Sequence, residues 1–424
     1  MSKAYKFESG LTLLYQKNSI NNATSIKIGF DGGARCDGEL PGVAYFCERM
    51  FFTQTDKLSK QEVTKRFYDF IQVGTYTSST ETVFHGQIIT SKLENFLMTV
   101  QDMICNTTIS PDELDEERKL IIQSIVRDRD NHAGSADRVK ASVMYGEEFY
   151  KYGVLGTEES VNKITSADIK KYIKKYLVSN NCYIQISSPL SFVAVKKIVK
   201  EFDKAMPKSN MKPLPYEKEK LTDDESIVLN TVDVDKNFFS FVFKSKRKGP
   251  DSKYKTILGI IGNIMTDIGE GLKKELRVDH GLIYSMGVKS MVNQASSSIQ
   301  IITDISRDNV KPCIDVITGY IKKVVENGFT DAQLQKELGK KRYYWDSRVD
   351  HPNGLRDELL NYRSYGRFVT PKEIYEEAMG ITIDEVNQVA RELFTKSKVQ
   401  VFVYGNAEKT DVYTIKQVQK KMMD

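Results

Sequence analysis

The sequence predicts an α+β protein of two domains with similar internal order, and three observations carry that prediction. At 424 residues the chain exceeds what one ordinary core organises. It also repeats itself. Ile164-Thr165, followed by apolar Ile169, Tyr172, Ile173, Tyr176 and Leu177, aligns with Ile381-Thr382, Val386, Val389, Ala390, Leu393 and Phe394 at an offset of 217 (382 − 165). Likewise Ile109-Ser110-x-x-Glu113-Leu114 aligns with Phe329-Thr330-x-x-Gln333-Leu334 at an offset of 220 (330 − 110). A β-rich segment follows the first pair in both copies, Asn181 to Ser187 and Lys398 to Tyr404, as a duplicated unit requires. Finally, the stretch Ala205 to Asp224 holds Pro207, Pro213 and Pro215 among lysines and reads as an exposed linker. The expected division is residues 1–208, a linker at 209–223, and residues 224–424.

Taken in order, Leu11 to Gln16 and Ala23 to Phe30 read as strands, the second alternating Ile26, Ile28 and Phe30 against Ser25, Lys27 and Gly29. Gly32-Gly33 ends it. A helix from Gly42 places Val43, Phe46, Cys47, Met50 and Phe51 on one core-facing stripe and Tyr45, Glu48, Arg49 and Phe52 on the other side. A second helix near Lys60 to Gln72 presents Val63, Phe67, Phe70 and Ile71. Thr75 to Ser79 and Glu81 to Thr90 then read as a strand pair. Ser110-Pro111-Asp112-Glu113 starts a helix, because Ser caps it, Pro suits its first turn and Glu closes a capping box; it runs to about Asp130 with Leu114, Ile121 and Ile125 inward. A helix near Thr165 to Leu177 and a strand at Cys182 to Ser187 complete the half.

Composition excludes several function classes. Lys+Arg 62 against Asp+Glu 57 leaves only +5, with no basic run to suggest a nucleic-acid partner. Cys36, Cys47, Cys105, Cys182 and Cys313 are scattered and form no C-x-x-C pair, so neither a disulfide framework nor a cysteine zinc knuckle is expected. The N-terminus MSKAYKFESG lacks an apolar signal region, and no run of about 18 apolar residues could span a bilayer; a soluble, cytoplasmic protein is the expectation. His85, His132, His280 and His351 have no ligand spacing, and Gly269-Glu270-Gly271 lacks the Lys-Ser/Thr of a phosphate loop.

The stretch Gly33 to Thr55, GARCDGELPGVAYFCERMFFTQT, carries the most specific signal. Gly33, Ala34, Arg35 and Asp37 and then, after four residues, Gly42, Ala44, Phe46, Glu48, Met50 and Phe52 match the pattern G-[SA]-R-x-[DE], five residues, G-x-A-H-F-x-E-H-M-x-F, with one residue fewer between its two parts. The chain thus resembles the pitrilysin/insulinase peptidases, which include the mitochondrial processing peptidases. Their inverted H-x-x-E-H motif binds zinc through its histidines and activates water with its glutamate. Here the frame reads Tyr45-Phe46-Cys47-Glu48-Arg49, keeping the base and losing both histidines. The family's third ligand, a glutamate about 75 residues past the second histidine, falls on Ser124 (124 − 49 = 75), seven beyond Glu117-Arg118. Phenol, guanidinium and hydroxyl are poor zinc donors, and Arg49 cannot be deprotonated. No metal is expected here, and Glu48 is vestigial, pairing with Arg49 or Arg35.

The second half keeps its motif. Leu272-x-x-Glu275-Leu276-Arg277-Val278-Asp279-His280-Gly281-Leu282-Ile283-Tyr284-Ser285 resembles the family's L-x-x-E-L-R-x-x-x-G-L-x-Y-S without a loss. In the family that arginine and tyrosine reach across a chamber to the substrate backbone near the opposing domain's zinc, where a guanidinium fork and a phenol can hold a peptide carbonyl. A helix-terminal arginine and a strand tyrosine are the plainer alternative. The resemblance covers the whole chain. It implies two homologous α+β domains forming half of a clamshell chamber, and an edge strand near residues 75–79 that pairs with extended peptide; an ordinary hairpin accounts for that segment equally. It further implies a non-catalytic subunit of a heterodimeric metallopeptidase, with Arg277 and Tyr284 binding substrate at the zinc of a partner that carries H-x-x-E-H. The alternative is a catalytically dead peptide-binding or scaffold protein of the same fold.

Overall fold

In the computed structural model the described residues are 2–18, 22–145, 152–209, 211, 224–230, 234–245, 247, 251–292, 297–347 and 367–423. The chain divides into two compact units, one chiefly of Met1–Ser142 with Glu147–Pro215, the other chiefly of Tyr216–Gly354 with Leu360–Asp424. Residues 210 and 212–223 of the expected linker lie outside the described residues.

The N-terminal unit is a six-stranded sheet with helices packed on its apolar face. Its strands are β1 (Ser2–Lys6), β2 (Thr12–Lys17), β3 (Ala23–Asp31), β4 (Gln72–Thr77), β5 (Glu81–Ile89) and β6 (Cys182–Ser188), in the order β1-β2-β6-β3-β5-β4. Only β2 and β6 run parallel. Period-two alternation places Ile26, Ile28 and Phe30 in the core. Against them pack α1 (Val43–Met50), α2 (Lys60–Tyr68), α3 (Leu93–Cys105), α4 (Pro111–Arg129), α5 (Ser166–Tyr176) and α6 (Phe192–Ala205). The caps are those the sequence prescribes: Ser110 accepts from the Glu113 amide and Glu113 reaches back to Ser110, and Thr165 with Asp168 repeats the device.

The C-terminal unit has the same plan. Its strands β7 (Glu225–Asn230), β8 (Asn237–Ser245), β9 (Met286–Val292), β10 (Ser297–Ile305) and β11 (Lys398–Gly405) are ordered β7-β11-β8-β10-β9. Substituting β2, β6, β3, β5 and β4 in turn reproduces the first sheet without β1, and the one parallel pair, β7 with β11, matches β2 with β6. Its helices include α7 (Ser252–Met265), α8 (Val310–Asn327), α9 (Asp331–Ser347) and α10 (Ile383–Lys396). Two α+β units of like topology are therefore present, as the repeats predict.

Three departures from the sequence reading have physical causes. Strand β1 has the polar sequence SKAYK and is half exposed at the sheet edge, so no apolar alternation marks it. Helix α2 stops at Tyr68 rather than Gln72 because Ile71 turns the chain with φ +77°. Strand β4 accordingly begins at Gln72, three residues earlier than expected.

Candidate functional site

Helix α1 is held by both ends of its own neighbourhood. Gly42 caps it at φ +96°, and a Cβ there would stand 2.6 Å from the Leu155 carbonyl oxygen, so glycine is required. The Asp37 carboxylate accepts from the amides of Gly42 (2.6 Å) and Ala44 (2.9 Å), supplying the cap from the preceding turn. Burial pushes the Asp37 pKa up to about 7 against those two bonds, which act to lower it. Val43, Phe46, Cys47, Met50 and Phe51 are all in the core, as their spacing predicts.

The degenerate motif is arranged differently from the sequence expectation. Glu48 is buried rather than on an outer face, at 6 % exposure. Its partner is neither Arg49 nor Arg35: the Thr75 hydroxyl of β4 donates to Glu48 Oε1 at 2.7 Å, and Oε2 is buried without a hydrogen-bond partner. Arg49 instead donates from Nε to Glu117 Oε2 of α4 at 3.1 Å. The reason is helical phase. Successive side chains point about 100° apart, so Glu48 meets the sheet while Arg49 meets α4. Burial works to lower the Arg49 pKa, but the Glu117 carboxylate more than offsets it and the value ends above the ordinary one.

Glu117, which in the sequence serves only to locate Ser124, is the carboxylate that holds Arg49. It lies on the inward stripe of α4 with Leu114, Ile121 and Ile125, and is itself buried. A carboxylate in register with an apolar stripe needs a cation, and that was the available signal. The neighbouring Arg118 has a structural task, donating to the carbonyls of Val161 and Ile164 and lying over the Phe46 ring at 5.5 Å.

As a metal site the donor set does not fit. Tyr45 offers a half-buried phenol whose pKa is pushed up by burial. Arg49 is a cation engaged with Glu117, and Ser124 donates its hydroxyl to the Leu120 carbonyl at 2.9 Å, within its own helix. Among the described residues no three His, Cys, Asp or Glu side chains come together as ligands.

In the C-terminal unit Leu272–Lys274 opens a helix that widens into a π turn over Glu275–Asp279, closed by His280 N to Glu275 O at 3.0 Å. Leu276 anchors it in the core while Arg277 projects to solvent. Gly281 at φ +63° reverses the chain, and Leu282 N bonds Leu276 O at 2.8 Å. Tyr284, 83 % exposed, therefore comes back beneath Arg277, whose guanidinium carbon lies 5.2 Å from the ring centroid. Tyr284 precedes β9 and is not a strand residue. π turns within helices occur frequently at functional sites.

The comparisons with known proteins bear on the family and the fold. The family model described as Insulinase (Peptidase family M16) matches residues 12–157, and that described as Peptidase M16 inactive domain matches residues 163–339. The uncharacterized zinc protease YmxG of Bacillus subtilis (strain 168) is 22% identical over 408 residues, covering 93% of this chain and 96% of its own. The solved Peptidase M16 inactive domain from Pseudomonas fluorescens superposes with a TM-score of 0.81 at 17% identity over 96% of this chain and 99% of that one. The first half of the periplasmic protease PqqL from Escherichia coli gives 0.79 at 14% identity, covering 100% and 97%, and the chain covers 50% of whole PqqL. No helix among the described residues is long and apolar enough to cross a membrane. With residues 12–157 and 163–339 matched by that family's models, a shared fold and ten aligned motif positions, the chain belongs to the insulinase (M16) peptidase family.

Proposed function

We propose that this chain is a non-catalytic subunit of a two-subunit peptidase, supplying half of the chamber and using Arg277 and Tyr284 to hold substrate at the zinc of a partner of the same family. The observation that carries the reading is the contrast between the two motifs. At the metal position the donors are replaced and Arg49 is tied to Glu117, whereas Arg277 and Tyr284 stand exposed and stacked. Nothing in folding requires a Tyr at 83 % exposure, so retention of the pair favours a use outside the chain. That the chain spans half of PqqL supports pairing with a second unit of similar size.

The test is Arg277→Lys, assembled with the partner that carries H-x-x-E-H and sized before assay. Lysine keeps the charge and loses the two-donor plane. Loss of one donor to a forming oxyanion costs on the order of 100-fold in turnover. Wild-type turnover in an intact complex would remove the positioning role and leave a peptide-binding or scaffold protein.

A further inference from the structure

The two units differ in what closes one end of their helical layer. In the first, α6 packs on α3 and its end is sealed. Phe202 and Met206 are buried in the core, the Ser179 amide donates to Pro207 O at 2.9 Å, and the Cys105 thiol of α3 donates to Ala205 O at 3.9 Å. In the second, α11 (Ile415–Met423) packs on α8 in the place of α6. Val195 and Val418 are both fully buried, each with its amide bonded to the carbonyl four residues back, of Ser191 and Thr414. The helix beneath corresponds as well, Leu93, Leu97 and Ile104 of α3 falling on Val310, Ile314 and Ile321 of α8 at an offset of 217 (310 − 93).

Beyond that point the units part. Helix α6 runs ten residues past Val195, whereas α11 runs five past Val418 (205 − 195, 423 − 418). Where the first unit has Phe202 and Met206, the second has a cavity of about 520 Å³ lined chiefly by Ile321, Val325, Phe394, Val399 and Met422. Phe394 and Val399 are the counterparts of Leu177 and Cys182, which flank Ser179 in the first unit (394 − 177 = 399 − 182 = 217). A largely apolar space of that size exceeds the voids of a packed core and matches a binding site. Charge has changed with it. Lys322, also lining the cavity, stands where Cys105 meets the Ala205 carbonyl (322 − 105 = 217), and its own ion pair with Glu326 is wide at 3.9 Å. The last carbonyls of a helix carry partial negative charge, which a lysine complements and a thiol does not. We propose that this cavity docks a short helical segment of another polypeptide, whose final turn enters it with an aromatic and a methionine-sized side chain four residues apart and whose last carbonyls meet Lys322. This goes beyond the function proposed above and does not depend on it.

The experiment uses the full-length protein and two labelled peptides, read by fluorescence anisotropy. One has the sequence of residues 199–208, which fills the equivalent place in the first unit, and the other carries Phe202→Ala with Met206→Ala. The first should bind at least about tenfold tighter, because the second has lost both apolar side chains to be buried. Val325→Trp fills the cavity from a half-buried position, so it should remove that gap while the melting temperature holds or rises. Met423→Glu, at a residue 77 % exposed on the cavity lining, should also remove most of the gap and serves if Val325→Trp folds poorly. Lys322→Gln should weaken the first peptide a few-fold, an effect that high salt erases. Equal affinity of the two peptides, a gap that survives both Val325→Trp and Met423→Glu, or failure of both peptides to bind overturns the docking site. Binding of the dye 1-anilinonaphthalene-8-sulfonate that Val325→Trp abolishes, with neither peptide bound, would instead make the cavity a small-molecule site. Dimerisation of the protein lost in the same variant would assign the cavity to a second copy and overturn the proposal equally.

Discussion

Replacing Arg49 with methionine strands a buried carboxylate, and the size of the loss follows from which partner is buried. Glu117 is 6 % exposed as a side chain, and Arg49 is 36 % exposed. Breaking a fully buried pair costs roughly 3–5 kcal/mol, whereas an exposed pair is worth about 0–1. With one partner a third open, Arg49→Met should cost about 2 kcal/mol. The converse change, Glu117→Leu, should cost less, because the freed guanidinium can turn to water while the leucine joins Leu114, Ile121 and Ile125. The double variant should fall short of the sum by at least about 1 kcal/mol, since an apolar replacement of a whole pair is often near neutral. Equilibrium urea unfolding of the full chain at pH 8 measures all three. An Arg49→Met protein within about 0.5 kcal/mol of wild type at pH 8, or strict additivity in the double variant, would refute the pairing as the anchor of α1 on α4.

Three further outcomes are expected. Asp37 has its folded pKa raised from 3.8 to about 7, so the stability it contributes is full below pH 4 and lost as pH climbs through 7. Relative to Asp37→Asn, the wild type should lose about 4 kcal/mol across that window, and a flat difference would show that the carboxylate is not desolvated. Ile71→Gly should raise the melting temperature, because a β-branched residue at φ +77° bears roughly 1–2 kcal/mol of strain while glycine's extra unfolded freedom costs about 0.5–1. Ile71 is 75 % exposed, so little burial is lost, and a lower melting temperature would refute the strain. The wild type should bind no stoichiometric zinc by metal analysis, whereas Tyr45→His with Arg49→His and Ser124→Glu should bind it. Equal zinc content in both would place the metal elsewhere.

The sequence by itself determined the duplicated architecture, the motif helix with its buried stripe, and the capped helices, because each is written in local periodicity or in residues three or four apart. Ser110 with Glu113, and Phe46 with Met50, need no distant partner to take their places. The loss of metal donors was equally legible, being a matter of residue type. What the tertiary structure decided were the partners of charges. Arg49 and Glu117 are 68 residues apart (117 − 49), and only the packing of α1 on α4 brings them to 3.1 Å. Glu48 was misassigned because a helical face says which way a side chain points, and not what stands there. β4 supplies Thr75, and with it a hydrogen bond where an ion pair was expected. The same holds for Arg277 and Tyr284. Their spacing of seven is in the sequence, but their stacking depends on the π turn and the reversal at Gly281, backbone states that no residue pattern prescribes.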